Sequence, residues 1–170
     1  VTDPYSQPTL RPARVEDIQT ILELFIEEVR AGRMLPRNPH HMRASIDEWI
    51  VAETGGRIVG CVSLVFFNEE LCEVRSLAVA SEQRGNGLGA RLITAAVDMA
   101  RARGMRRVLT LTRATGVFER VGFRRDFVTN FPEKVWRDCR PCPLRHRCDE
   151  VAMLYYLKAE TIHSVQRRLA

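Results

Sequence analysis

No stretch of this 170-residue sequence approaches the roughly 18 consecutive apolar residues needed to cross a bilayer, which excludes a transmembrane helix. Val1 to Leu10 is polar and carries prolines, so it lacks the apolar core of a secretory signal. Glycine and proline number only 10 and 8, which excludes collagen-like or linker character. Internal repeats and low-complexity tracts are missing too. Apolar residues reach 45%, too many for an intrinsically disordered chain. These absences predict an intracellular, cytoplasmic, water-soluble protein with no membrane partner. At roughly one domain per 150 residues, a single domain over 1–170 is expected. A chain of this length buries about two-thirds of its unfolded surface and needs neither disulfides nor metal to fold.

Charge is modestly biased. Lys and Arg total 26 against 21 Asp and Glu, a formal +5. Such an excess favours anionic partners, among them a phosphate-bearing cofactor, a carboxylate substrate or nucleic acid, and is equally compatible with a plain solvated surface. Cysteines number five, an odd count. Cys61 and Cys72 lie in apolar, strand-like segments and read as buried thiols. Cys139, Cys142 and Cys148 cluster as C-x2-C-x5-C with His146 inside. Three readings stay open for them: a Cys3His zinc site, a disulfide or redox-sensitive pair, and three reduced thiols in a proline-stiffened loop. Against zinc, His146 and Cys148 are close for tetrahedral ligation from one short loop, and no distant second pair exists.

Along the chain, Thr9 to Ala13 reads as a short edge strand, and apolar residues from Ile18 to Val29 recur with helical period, stopped at Gly32. Arg33 to His41 reads as a loop that places His40 and His41 toward solvent, and a shorter helix follows around Met42 to Asp47. Glu48 to Ala52 and Ile58 to Phe67 read as strands joined at Gly55-Gly56, a hairpin signal. Leu71 to Val79 is a further strand, Leu88 to Arg103 a long amphipathic helix and Arg107 to Leu111 a strand. Thr115 to Val121 is a short helix, and a strand begins at Gly122-Phe123. The Cys- and Pro-rich stretch 131–149 is irregular, Val151 to Leu157 closes the sheet, and 159–170 forms a tail or terminal helix. Early hairpins followed by strand–helix–strand predict an α+β (mixed α/β) domain around one mixed sheet.

The most informative stretch is the turn from Val79 into the long helix, with Gly85, Gly87 and Gly89. Glycines permit positive φ and close approach of phosphates to backbone amides. A helix N-terminus adds unpaired N–H donors and a partial positive charge. Together they make a pyrophosphate cradle. The P-loop pattern is excluded, because no Lys follows these glycines. The dinucleotide-binding pattern is excluded as well: the spacing is G-x-G-x-G, several strands precede the turn, and Asp98 comes too early to serve as the ribose-binding acid.

Arg84-Gly-Asn-Gly-Leu-Gly89 fits [RQ]-x-x-G-x-[GA] and so resembles the acetyl-CoA signature of the GNAT N-acetyltransferases. The flanking Glu73-Val-Arg-Ser-Leu-Ala-Val79 and Val117-Phe-Glu-Arg-Val-Gly-Phe123 are similar to that family too, over roughly Thr9 to Leu157. The resemblance implies the acyl-CoA N-acyltransferase fold: a mixed, mostly antiparallel sheet flanked by helices, with a splayed central strand pair. It implies direct transfer from acetyl-CoA to an amine. The cofactor residues it implies are Leu77, Ala78 and Val79 beside the pantetheine, Arg84, Gly85, Asn86, Gly87, Leu88, Gly89 and Ala90 around the pyrophosphate, and Phe118. A bulge or separation is expected just after Ser76, with the Leu77 N–H as oxyanion donor. Glu73 is the candidate for proton removal, directly or through water, with Glu70 behind it. Phe118 stands where many members carry a Tyr acting as general acid, so none is assigned.

Gly32-Arg-Met-Leu-Pro-Arg37, Pro132-Glu-Lys-Val-Trp136 and the Cys139 to Glu150 segment narrow the resemblance to the N-acetylglutamate synthase branch, in its short forms. That branch implies glutamate as acceptor, at the head of arginine biosynthesis. A carboxylated acceptor calls for Arg, whose planar fork binds carboxylates in bidentate fashion. Arg37 is the first candidate, Arg75 and Lys134 the seconds, with Thr112 and Arg113 lining the cleft. Other acceptors remain open, namely a different amino acid, a polyamine or a protein N-terminus, as does a homodimer. A nucleic-acid-binding module is disfavoured. The segment around Arg140 nets only +2, from five basic residues against three acids, and Trp136 is its one aromatic.

Overall fold

The computed structural model describes residues 7–157. The expected helix in the tail 159–170 therefore lies outside the described residues. One seven-stranded sheet forms, from β1 (Thr9–Pro12), β2 (Trp49–Thr54), β3 (Arg57–Phe66), β4 (Leu71–Val79), β5 (Arg107–Thr112), β6 (Arg124–Asp126) and β7 (Val151–Tyr156), in the order β1-β2-β3-β4-β5-β7-β6. Every neighbouring pair is antiparallel except β4 with β5. The helices are α1 (Ile18–Arg30), α2 (Pro39–Ala44), α3 (Leu88–Ala102), α4 (Thr115–Val121) and the short turn α5 (Pro132–Lys134), which runs on as a π-helical turn over Val135–Cys139.

The β4–β5 crossover is α3, as a parallel pair requires. Leu88, Leu92, Ile93, Ala96, Val97 and Ala100 form its buried stripe against one face of the sheet. That docking is close at Gly60, where a Cβ would stand 3.0 Å from Leu92 Cδ1 and 3.2 Å from the Ala78 carbonyl oxygen. The opposite face is covered in two halves. Ile18, Ile21 and Phe25 of α1 pack with Met42, Trp49, Val51 and Cys61. Phe131 covers Leu71, Leu109, Ala152 and Leu154. The entry to α1 is fastened by Arg11, whose NH1 and NH2 donate to Asp17 at 2.7 and 3.0 Å, while Asp17 Oδ2 also accepts the Arg14 N–H at 2.7 Å.

The proline-containing loop expected from Arg33 to His41 ends earlier than its composition suggests. Pro39 occupies the first turn of α2, and Asn38 Oδ1 accepts the His40 and His41 amides at 2.8 and 3.4 Å. His40 and His41 are therefore helical, a correction to their reading as loop residues. An Asn cap followed by Pro starts a helix as readily as it ends one.

Candidate active site

The sheet opens at its centre. β4 and β5 pair only over Leu71–Glu73 against Arg107–Leu109. Beyond that point the Val74 carbonyl is taken by the Thr110 side chain at 3.1 Å instead of by a ladder amide. On its other edge β4 shifts register: Cys61 faces Ala78 and Ser63 faces Arg75, which leaves Ser76 and Leu77 together opposite Val62. Ser76 has φ +54°, the left-handed region, and among the described residues it is the one non-glycine there. The bulge expected after Ser76 is thus present, and the strands part beside it.

The glycine turn meets this opening. Gly85 and Gly87 have φ +82° and +79°, and an added Cβ at either would meet nothing within 4 Å. The glycines here leave open space above the backbone, as a phosphate cradle demands. Arg91 N–H to Gly87 O, at 3.1 Å, is the first helical bond of α3, so the amides of Leu88, Gly89 and Ala90 precede it. No side chain caps this end of the helix. Arg84 Nε donates to the Val79 carbonyl at 3.0 Å and pins the turn to the strand end. Asn86 is exposed, Leu88 buries its side chain in the core, and Val117 of α4 faces Gly89.

Phe118 is 2% exposed and packs edge-on against Phe123 at 5.1 Å, within the core.

On the face opposite α3, four charged groups converge. Glu73 is 2% exposed, and it accepts from Lys134 Nζ at 2.8 and 3.0 Å and from Arg75 Nε at 2.6 Å. Asp138 pairs with Arg75 and lies 3.4 Å from Lys134. Burial opposes charge on Arg75, but Glu73 and Asp138 outweigh it and raise its guanidinium. Burial likewise opposes the Asp138 carboxylate, and Arg75 and Lys134 overcome it and lower Asp138 below its ordinary range. Lys134 and Arg75 are consequently engaged by the protein's own carboxylates. Glu70 sits at the other end of β4, 3.4 Å from Arg106.

Arg37 differs. Among the described residues its guanidinium has no carboxylate partner; Nε donates to Ser76 Oγ at 3.0 Å. Burial, and then the like charge of Arg75, lower its guanidinium from the ordinary value. It lines a cavity of about 270 Å³ with His41, Trp49, Ser63, Arg75 and Ser76. Arg113 donates to Asp149 at 2.5 Å and to the Arg33 carbonyl at 2.9 Å. It thereby ties the end of β5 to the α1–α2 loop. Thr112 Oγ1 accepts the Ala114 N–H at 2.9 Å and shapes that turn. Glu150, its side chain 32% exposed, stands 3.5 Å from Arg113, and burial raises its carboxyl. Asp138 and Glu150, and the contact of the Ser76 hydroxyl with Arg37, carry no signal in the sequence, because their partners lie far along the chain.

Zinc is not supported. Among the described residues no group of three His, Cys, Asp or Glu side chains converges for a metal. His146 Nε2 accepts instead from Arg145 at 2.9 Å, and the Leu144 N–H approaches Cys142 Sγ at 3.4 Å. All five cysteines are free thiols. No helix among the described residues is long and apolar enough to cross a membrane.

The acetyltransferase (GNAT) family matches residues 16–123. The chain belongs to that family. This GNAT protein is an acetyl-CoA-dependent N-acetyltransferase, with the mixed seven-stranded sheet of its relatives. It is 35% identical to an uncharacterised N-acetyltransferase of Chlorobaculum tepidum, over 89% of this chain and 97% of that one. The amino-acid acetyltransferase of Mycobacterium tuberculosis is 32% identical, over 69% of this chain and 68% of its own length. Among solved structures, a Mycobacterium tuberculosis protein in complex with CoA superposes with a TM-score of 0.75 and 27% identity, over 89% of this chain and all of that one. The N-acetylglutamate synthase of Neisseria gonorrhoeae, complexed with coenzyme A and N-acetyl-glutamate, gives 0.79 and 26%, over 91% of this GNAT chain. The chain spans 36% of that synthase and 26% of the Aeromonas salmonicida amino-acid acetyltransferase.

Proposed function

We propose that this GNAT enzyme acetylates the α-amine of an acidic amino acid, with L-glutamate the acceptor, in the cytoplasmic synthesis of arginine. One observation carries the reading. Among the described residues, Arg37 alone of the cavity's arginines keeps its guanidinium unmatched by a carboxylate, and a bidentate carboxylate is the ligand that fork suits best. Relatives named amino-acid acetyltransferase support it, as does the gonococcal synthase seen with N-acetyl-glutamate.

Acetyl-CoA supplies a thioester carbonyl activated toward amines. The amides of Leu88, Gly89 and Ala90, with the open backbone at Gly85 and Gly87, fit its pyrophosphate. Leu77, Ala78 and Val79 follow the bulge along the parted edge of β4, where their backbone offers the pantetheine an added strand partner. The Leu77 N–H serves as oxyanion donor. Glu73, held by Lys134 and Arg75, removes the amine proton, directly or through water. The leaving thiol has an ordinary pKa near 8.5, so water can protonate it and no side-chain acid is needed.

The test is a panel of amines with acetyl-CoA, read by thiol release, comparing wild type with Arg37→Ala. Glutamate should lead the panel, and the substitution should raise its KM by about ten- to a hundred-fold, the worth of a charge-assisted contact. Equal losses on glutamate and on a carboxylate-free amine would remove Arg37 from the acceptor site.

A further inference from the structure

We propose that Ser76 is a positioning residue: its hydroxyl sets the Arg37 guanidinium for the acceptor carboxylate, from the same bulge that carries the oxyanion donor. This rests on the carboxylate-acceptor reading above. Ser76 is 7% exposed, lines the cavity and sits at φ +54°. That backbone position favours glycine, and a Cβ there is strained. A side chain kept under strain at a site over-determined by its surroundings points to a role for that side chain. Its hydroxyl accepts Arg37 Nε at 3.0 Å across 39 residues of sequence. With Nε held, the terminal NH1 and NH2 are left to form the fork. Arg75, one residue away, cannot substitute, because Glu73 and Asp138 occupy its guanidinium.

The Ser76 carbonyl is fixed from the other side, where Cys61 Sγ approaches it at 3.5 Å. Strand β4 therefore reaches Leu77 from a residue whose carbonyl and hydroxyl are both engaged. The acceptor seat and the cofactor strand meet at one residue.

Two variants separate the hydroxyl from the backbone. Ser76→Ala keeps the Cβ and its strain, whereas Ser76→Gly removes both. Each should raise the KM for L-glutamate by about ten-fold, the worth of one hydrogen bond to a charged group, with kcat changed less than about two-fold. The melting temperature of Ser76→Gly should be no lower than that of wild type. In an Arg37→Ala background neither variant should raise KM further. The inference falls if KM is unchanged, if Ser76→Gly alone restores wild-type KM, or if the effects add to that of Arg37→Ala. Wild-type enzyme inactive on every carboxylated amine would overturn the acceptor reading itself, before any variant is made.

Discussion

Lys134 Nζ stands 2.8 Å from Glu73 Oε1 although 61 residues separate them, and both side chains are closed to solvent. The pair joins the 131–149 segment to the central strand. Removing Lys134 leaves two carboxylates, Glu73 and Asp138, on the single Arg75 guanidinium, which is costlier than replacing both members of the pair. Lys134→Ala should lower stability by about 3 kcal/mol in urea denaturation. The double variant Glu73→Gln/Lys134→Met should lose less than the sum of its singles. Additive losses would show that the two groups do not interact.

Gly87 and Gly104 provide a matched pair, with φ +79° and +76° and no neighbour crowding either position. Alanine at each should cost about 1–2 kcal/mol of backbone strain. Only Gly87→Ala should weaken CoA binding, by at least about ten-fold in calorimetry, since its methyl enters the cradle. Similar affinities for the two variants would count against the cradle.

The glycine turn, the central strand and the long helix were legible because each carries a local signal: positive-φ residues, an apolar run, a 3.6-residue stripe. What stayed hidden depends on long-range pairing. β7 inserts between β5 and β6, so the strand written last in the described chain becomes an inner one. Arg75 and Lys134 are second candidates for the acceptor carboxylate in the sequence, whose spacing does not show that folding brings Glu73 and Asp138 to both of them. Sequence spacing places Phe118 on a helix but does not name the side that the sheet buries, where folding packs it. The cysteine cluster has ligand-like spacing, yet the local turns direct its groups to neighbouring amides and guanidinium groups.

Thiol reactivity should divide the cysteines by burial. Cys61 and Cys72 are buried, and loss of hydration pushes their thiols up to about 12. Cys139, Cys142 and Cys148 reach the surface to varying degrees. A disulfide reagent at pH 8 should therefore modify three thiols in the folded protein and two more only after unfolding. Five fast-reacting thiols would contradict the packing around β3 and β4.

Acid should release the Arg11 clasp. The Arg11 guanidinium, against a smaller opposing effect of burial, holds the Asp17 carboxyl below its usual range. A carboxyl lowered by folding contributes stability that is fully present above its unfolded pKa, near 4, and is lost as pH falls below that. Asp17→Ala also forfeits the Arg14 N–H contact, and should cost about 1–2 kcal/mol at pH 7. The difference from wild type should shrink as pH drops below about 4. A gap that widens in acid would reverse the assignment.

Gly60 touches no reacting group, yet it decides how deep α3 sinks. The missing side chain admits Leu92 and Leu88 to the sheet surface. Any larger residue would act as a shim under the helix and lift its first turn away from the parted strands. The opening amides of α3 and the parted edge of β4, the two elements proposed to hold the cosubstrate, would then fall out of step, so a residue that takes no part in either sets their spacing.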